Sequence, residues 1–375
     1  MSTIMNARRL STIIALGLFG ALSQAQVPDL LNALDSGGRA MGAGGSLYGT
    51  TSDTLSSAFN PAGTAFVDTP AVGVALRNLP RSNTTISGNT LNPDFNVSGK
   101  RGNLSPTHLG YVKPLGKRGV LSLSLTTEGY LNDVLNGSTS NGAVTITRNL
   151  RREVRTDFLT LSLARTREDQ LFSWGFGLQV AQTGLRYNLN QVDNLGGSIV
   201  RNENSTSYGV GAIIGAQFTP KGNQNVSFGL SYRTEINLVN NSRTSDLLDR
   251  IPARLLGSMA YRIDGFRGGK DFLIVGTQIQ TFFNAKNGPD FNRKTQVVGG
   301  LGLEYNLVRD TMRIPVRLGY NIVPSGGNGF GPRNAFTFGI GYRPNNAKYT
   351  IDLNFAYPET GGPDFGLFFN YRFGK

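Results

Sequence analysis

The chain's only histidine, His108, sits close to Asn103, Ser105 and Thr107. Serine, histidine and asparagine are the residue types of an acyl-transfer triad, in which imidazole takes the hydroxyl proton and a third polar group orients the ring. Neighbours in sequence do not make a triad, however, because the roles need side chains that converge in space. A histidine in a loop or in an interfacial aromatic belt is the expectation for His108, and enzymatic activity is not expected. With one histidine and no cysteine, multi-histidine and thiolate metal sites are excluded, and no cofactor is expected.

Two other groups of residues suggest binding rather than catalysis. Gly37 to Gly49 reads GGRAMGAGGSLYG, and Ser56 to Phe66 reads SSAFNPAGTAF. The first is glycine-rich enough to cradle a phosphate, yet it lacks the Gly-Lys-Ser/Thr ending and the preceding strand that such a loop uses. In the second, Asn60 offers a capping side chain and Pro61 suits the first helical position, so Asn60-Pro61-Ala62-Gly63 predicts a short capped helical turn. Four arginines, Arg148, Arg151, Arg152 and Arg155, crowd one short stretch. Their guanidiniums suit forked contacts to phosphate oxygens, with an ordinary solvated face as the equal alternative.

The elements that carry these groups are set first by export. Arg8 and Arg9 precede an apolar run from Ile13 to Leu22 and then Ser23-Gln24-Ala25, a small-x-small cleavage pattern. Residues 1–25 therefore read as a secretory signal peptide. The apolar run is about ten residues, short of the roughly twenty of a membrane-spanning helix. Removing the signal takes two arginines and no acids from the 37 basic and 24 acidic residues, leaving a net charge of +11. Such a charge fits anionic neighbours such as lipid phosphate. Nucleic acid is not expected, because the basic residues scatter over strand ends and loops instead of forming a stripe with stacking aromatics. An exported chain without cysteine also has no disulfides to rely on.

From Pro70 onward the dominant hydrophobic period is two, the mark of strands whose alternate side chains face different media. Phe365, Leu367, Phe369, Tyr371 and Phe373 share one face of the last run, with Gly366, Asn370 and Arg372 on the other. The same rule gives about fourteen strands, most of them near the 9–11 residues of a tilted strand crossing a bilayer. The links between them alternate. Pro114–Gly119, Thr166–Leu171 and Leu307–Met312 are short, whereas Pro80–Pro106, Leu131–Glu153 and Thr183–Thr206 are long. Short turns at one end and long loops at the other predict an all-β fold, a transmembrane antiparallel β-barrel in a bacterial outer membrane. A soluble sandwich would carry a polar outer face instead. The face opposite the aromatics, with Ser122, Ser124, Thr126, Gly276, Gln278 and Gln280, suits a wet lumen.

On that face lie Arg233, Glu235, Glu304, Arg313, Arg317, Asp352 and Arg372. Counting through the hairpins places Glu304 about opposite Arg313 and Asp352 diagonal to Arg372. Ion pairs within the wall, or from the wall to the N-terminal segment, are the expectation, with solute contact as the alternative. The arginines at 148, 151, 152 and 155 fall in a long extracellular connection, where the phosphate would be that of an outer-leaflet glycolipid. Phe373, followed by Gly374 and Lys375, is a displaced version of the terminal aromatic that the barrel assembly machinery reads, so that machinery is an expected partner.

Residues 26–69 fit no membrane strand. Gly38, Arg39, Gly42, Gly44 and Gly45, followed by Asn60, Pro61, Ala62 and Gly63 just before the first strand, resemble the N-terminal hatch of the FadL-like outer-membrane transporters. That superfamily also contains the PorV-like barrels of type IX secretion. Gly49-Thr50-Thr51-Ser52-Asp53 departs from the Ala-Asp-Asp common between the two parts. Arg250 to Ile263, RIPARLLGSMAYRI, is similar to a proline-containing approach to a mid-barrel strand. The resemblance implies a hatch of residues 26–69 inside a barrel of residues 70–375. It also implies passive uptake of hydrophobic or amphipathic small molecules through a hatch-gated lumen. Its PorV-like branch implies a secretion-associated or structural barrel instead.

Overall fold

The computed structural model describes residues 27–28, 33–79, 81–89, 93–100, 102–239, 250–283, 292–325, 327–328, 330–359 and 363–374. The expected signal peptide lies outside the described residues. After the N-terminal segment the chain forms β1 (Ala71–Asn78), β2 (Leu104–Leu115), β3 (Gly119–Ser140), β4 (Thr145–Thr166), β5 (Phe172–Asp193), β6 (Ser198–Phe218) and β7 (Val226–Arg233). It continues through β8 (Arg254–Phe266), β9 (Asp271–Phe282), β10 (Gln296–Val308), β11 (Met312–Ile322), β12 (Ala335–Pro344), β13 (Tyr349–Pro358) and β14 (Asp364–Arg372). Each pairs antiparallel with the next, and β1 returns to β14 with Val74 opposite Phe369, so the 14 strands close into a barrel. Closure leaves the ring no unpaired edge, which is what a sheet inside hydrocarbon requires. Both ends of the barrel chain meet at the short-turn side, where the Phe373 amide donates to the Pro70 carbonyl at 2.8 Å.

The period of two separates the faces. Leu123, Leu125, Leu159, Leu161, Leu163, Trp174 and Leu178 point outward and are exposed, while Ser122, Ser124, Thr160, Ser162 and Gln179 point inward and are buried. Facing water, so wide an apolar band would be an aggregation surface; facing lipid, it is the solvent contact.

The expectation of long loops needs correction at three connections. Leu131–Glu153 and Thr183–Thr206 are largely strand, since β3, β4 and β5 each run 22 residues and β6 runs 21. About half of each strand therefore projects past the 9–11 residues needed to cross the membrane. Above the membrane the outer face meets water, as at Asn188 and Asn190, and the inner face mixes Leu150 and Leu189 with Arg148, Arg152 and Gln191, so the hydrophobic alternation that signals a strand fades while the backbone ladder continues. The Pro80–Pro106 connection likewise holds a hairpin, Arg81–Gly88 with Pro93–Lys100, whose first strand lies parallel to β3 with Ser82 opposite Asp133.

The N-terminal segment packs against the inward face of the ring. It is mostly turns: a 3-10 turn at Ala33–Ser36, one helical turn each at Arg39–Gly42 and Ser56–Phe59, and a 3-10 helix at Pro61–Phe66. Its apolar side chains, Leu34, Met41, Leu47, Tyr48, Leu55 and Phe59, form a core with Leu256 and Ala260 of β8 and Ala335 and Ala356 of β12 and β13. Small inward-facing wall residues leave room for its backbone.

Candidate functional site

The capped turn forms where the sequence places it. Asn60 has extended backbone angles, its Oδ1 accepts from the Ala62 amide at 3.2 Å, and Pro61 opens the 3-10 helix. The same side chain does more than cap. Its Nδ2 donates to the Gly49 carbonyl at 2.7 Å and to the Ala216 carbonyl of β6 at 3.0 Å, so one buried amide joins two parts of the segment to the wall. On the neighbouring strand Ser173 donates to the Ala62 carbonyl at 3.0 Å. Gly63, next along the turn, is buried against the Thr51 carbonyl.

The glycine-rich part lies close against β10, β11 and β12. Gly44 has a φ of +65°, and a Cβ there would fall 2.6 Å from the Leu301 carbonyl oxygen and 2.6 Å from the Tyr320 nitrogen, so both its conformation and its surroundings require glycine. Thr337 donates to the Gly42 carbonyl at 3.1 Å, and Asn321 donates to the Gly44 carbonyl at 3.2 Å. Gly38 and Gly45 also take positive φ, and the Gly38 carbonyl accepts from Asn354 at 3.1 Å. Burial pushes the Tyr48 phenol up, so it stays protonated and donates to the Gly37 carbonyl at 2.7 Å.

Three groups of buried carboxylates and arginines organise the charge of the interior. Glu304 of β10 accepts two bonds of 2.6 Å from Arg39 of the segment and one of 2.7 Å from Arg317 of β11. Arg317 reaches on to Asp352 of β13 at 2.7 Å, across β12, where Gly341 leaves the space that a side chain would fill. Asp35 of the segment meets Arg77 of β1 at 3.1 Å and Arg333 at 3.0 Å, and Arg77 also holds Asp364 of β14 at 2.7 Å. Glu128 of β3 holds Arg233 of β7 at 2.6 Å and Arg254 of β8 at 2.8 Å. Arg254 donates on to the Ala58 carbonyl of the segment at 3.2 Å.

The structure sorts the other sequence-derived positions. Glu304 stands opposite Arg317, not Arg313: the β10 and β11 ladders run on into the turn until Val308 meets Arg313. Asp352 stands opposite Phe368, while Arg372 pairs with Asp68 at 3.4 Å. Glu235 lies beyond the end of β7, half-exposed and paired with Arg250 at 3.0 Å. The four clustered arginines do not form one patch, because strand β4 alternates through them. Arg148 and Arg152 turn inward to Gln191 and Asp133, whereas Arg151 and Arg155 turn outward, paired with Glu153 and Asp157. His108 is neither in a loop nor in an outer belt. It is buried on the inward face, with Nδ1 2.8 Å from Thr126 Oγ1 and Nε2 3.2 Å from Thr54 Oγ1 of the segment.

Sequence reading missed Asp35, Arg77, Glu128, Arg254, Arg333 and Asp364. For Glu128, Arg77 and Arg254 a signal existed, since each continues the inward-facing register of Thr126, Ala75 or Ser258. Asp35 and Arg333 lie outside any periodic run and gave none.

Toward the long connections the inward face turns apolar. Val154 and Phe158 of β4, Ala181 and Leu185 of β5, Phe282 of β9 and Val298 of β10 cluster with Ile236, Leu238, Ile251 and Val323. Arg233 lies at the boundary, its guanidinium 4.6 Å from the Phe158 ring centre, so the apolar cluster rests on the Glu128 charge group.

No protein-family model matches the chain, and no curated protein matches it in sequence. Among solved structures it is similar to a Pseudomonas aeruginosa FadL homologue, with 17% identity and a TM-score of 0.63 over 93% of this chain and 100% of that one. It is similar to the P. putida toluene transporter TodX, with 12% identity and a TM-score of 0.62 over 92% and 100%. The Ralstonia pickettii toluene transporter TbuX gives 14% identity and a TM-score of 0.58 over 91% and 99%. The likeness is one of fold, and it spans nearly the whole of each chain.

Proposed function

We propose that this protein is a channel of the bacterial outer membrane for passive uptake of hydrophobic or amphipathic small molecules, with residues 26–69 acting as a hatch. The observation that carries this reading is the inward-facing apolar cluster around Phe158, Leu185 and Phe282, placed beneath the long connections and directly above buried charge tied to the segment. An apolar solute arriving from outside meets apolar wall first. It is then halted by a segment whose ion pairs and hydrogen bonds must part before it passes. Similarity in fold to two toluene transporters supports the solute class. No chemistry is needed; differential affinity of the solute for a parted state drives the shift.

Of the four clustered arginines, Arg151 and Arg155 face outward, paired with Glu153 and Asp157, and contact with glycolipid phosphate would first require each to release that carboxylate. The test of the solute reading is uptake of a hydrophobic fluorescent probe by cells that express the protein. Expression should raise the rate, and Leu185→Asp, which puts a charge into the apolar cluster, should lower it severalfold while the folded barrel still accumulates. Uptake no faster than in cells without the protein would overturn the reading.

A further inference from the structure

The inward face turns basic where the short turns close it. At that end a cavity of about 440 Å³ opens among strands β8 to β14. Its charged lining is Arg262, Lys270, Arg313, Arg343 and Arg372, and no carboxylate lines it. Arg313 lies on the same face of β11 as the buried Arg317, Arg343 on that of Gly341, and Arg372 on that of the buried Asn370, so these cations point into the mouth and away from lipid.

Two of the five are answered by acids outside the cavity: Arg262 by Asp264 at 2.7 Å and Arg372 by Asp68 at 3.4 Å. Arg343 comes only within 3.9 Å of Asp352, an oxygen already held at 2.7 Å by Arg317. Arg313 and Lys270 have no carboxylate partner among the described residues. The Nε atoms of Arg313 and Arg343 are buried with no hydrogen-bond partner. Like charges gathered in a recess repel, and forked donors left open there are costly unless an anion completes them.

The remaining lining gives the ligand a body. Phe272, Val308 and Pro344 supply an apolar wall, and the guanidiniums of Arg262 and Arg313 lie 4.0 Å and 5.6 Å from the Phe272 ring centre. The volume falls in the ~300–1,000 Å³ range of small-molecule sites, more than an inorganic anion fills.

We propose that the short-turn mouth of the barrel is a binding site for small organic carboxylates. Arg313 and Arg343 take the carboxylate, and Phe272, Val308 and Pro344 take the apolar body. The site stands whether or not hydrophobic solutes cross the lumen. The test is calorimetric titration of the full chain in non-ionic detergent with benzoate, benzamide and inorganic phosphate. Benzoate should bind saturably and more weakly as salt rises, benzamide should give no binding, and phosphate should bind much more weakly than benzoate. Arg313→Gln and Arg343→Gln should each weaken benzoate by about tenfold or more. Arg313 leaves no acid unpaired when removed, and Asp352 keeps Arg317 when Arg343 is removed, so both variants should still migrate as folded, heat-modifiable barrels. Absence of saturable benzoate binding, equal binding of benzamide, phosphate binding as tight as benzoate, or full affinity in both folded variants would each overturn the proposal.

Discussion

Arg39 of the N-terminal segment and Glu304 of the barrel wall are joined by two parallel bonds of 2.6 Å, and the same carboxylate also holds Arg317 at 2.7 Å. The two ends of this group are not equivalent. Arg39→Ala leaves Glu304 paired with Arg317, whereas Glu304→Gln takes from Arg39 its ion pair and leaves Arg317 with Asp352 alone. Breaking a buried pair from the side that strands charge costs about 3–5 kcal/mol. Glu304→Gln should therefore open the lumen more often than Arg39→Ala in planar-bilayer recordings. The opposite order would show that the segment is not held by this group.

Gly44 gives a second handle on the segment that spares the strand ladder. Gly44→Ala drives a methyl against the Leu301 and Tyr320 backbone and strains a positive φ. The expected result is faster trypsin cleavage at Arg39 in membranes, with heat-modifiable migration of the barrel unchanged. Unaltered cleavage would mean that the close approach can relax without moving the segment.

The two faces of β10 should respond differently. Leu303 is 44% exposed on the lipid side, so Leu303→Arg should reduce the folded barrel in membrane fractions, at a cost of roughly 2–4 kcal/mol near the midplane. From the sequence, Gly302→Ser on the other face looks mild. The structure changes that expectation, since a Cβ there would lie 2.2 Å from the Ala43 carbonyl oxygen. The barrel should still assemble, but with the segment displaced and Arg39 open to trypsin. Equal accumulation of both variants with the segment undisturbed would reverse the face assignment.

Phe373 is 46% exposed, its ring edge-on to Tyr371, and its amide bonds to Pro70 beside the closing strand pair. Phe373→Ala should lower the assembled amount more than deletion of Gly374 and Lys375. If the deletion is the worse of the two, the displaced aromatic is not what the assembly machinery reads.

The barrel was legible because each crossing strand divides its residues between lipid and interior. Phe336, Phe338 and Ile340 alternate with Thr337 and Gly339, and no other element gives that period with aromatics on one side only. What faded was the same signal above the membrane: Asn149, Arg151, Asn188 and Asn190 read as loop although the ladder continues through them. Single residues were legible when a periodic run fixed their face, as for Arg233 and Arg317. Partners were not, because Glu304 meeting Arg39 depends on how a segment without periodicity lies inside the ring. For Asn60 the cap to Ala62 is a local matter that sequence foretells, while its bond to Ala216 is not.

Closure of the lumen by the N-terminal segment is tested most directly by single-channel conductance of three proteins in planar bilayers: the intact chain, Asn60→Ala, and a deletion of residues 26–67. Asn60→Ala removes a cap worth about 0.5–2 kcal/mol, together with the bonds to Gly49 and Ala216, and leaves the strand ladder intact. A segment that closes the lumen gives low conductance for the intact chain, intermittent opening for Asn60→Ala and a steady pore for the deletion. Identical traces from all three would contradict it.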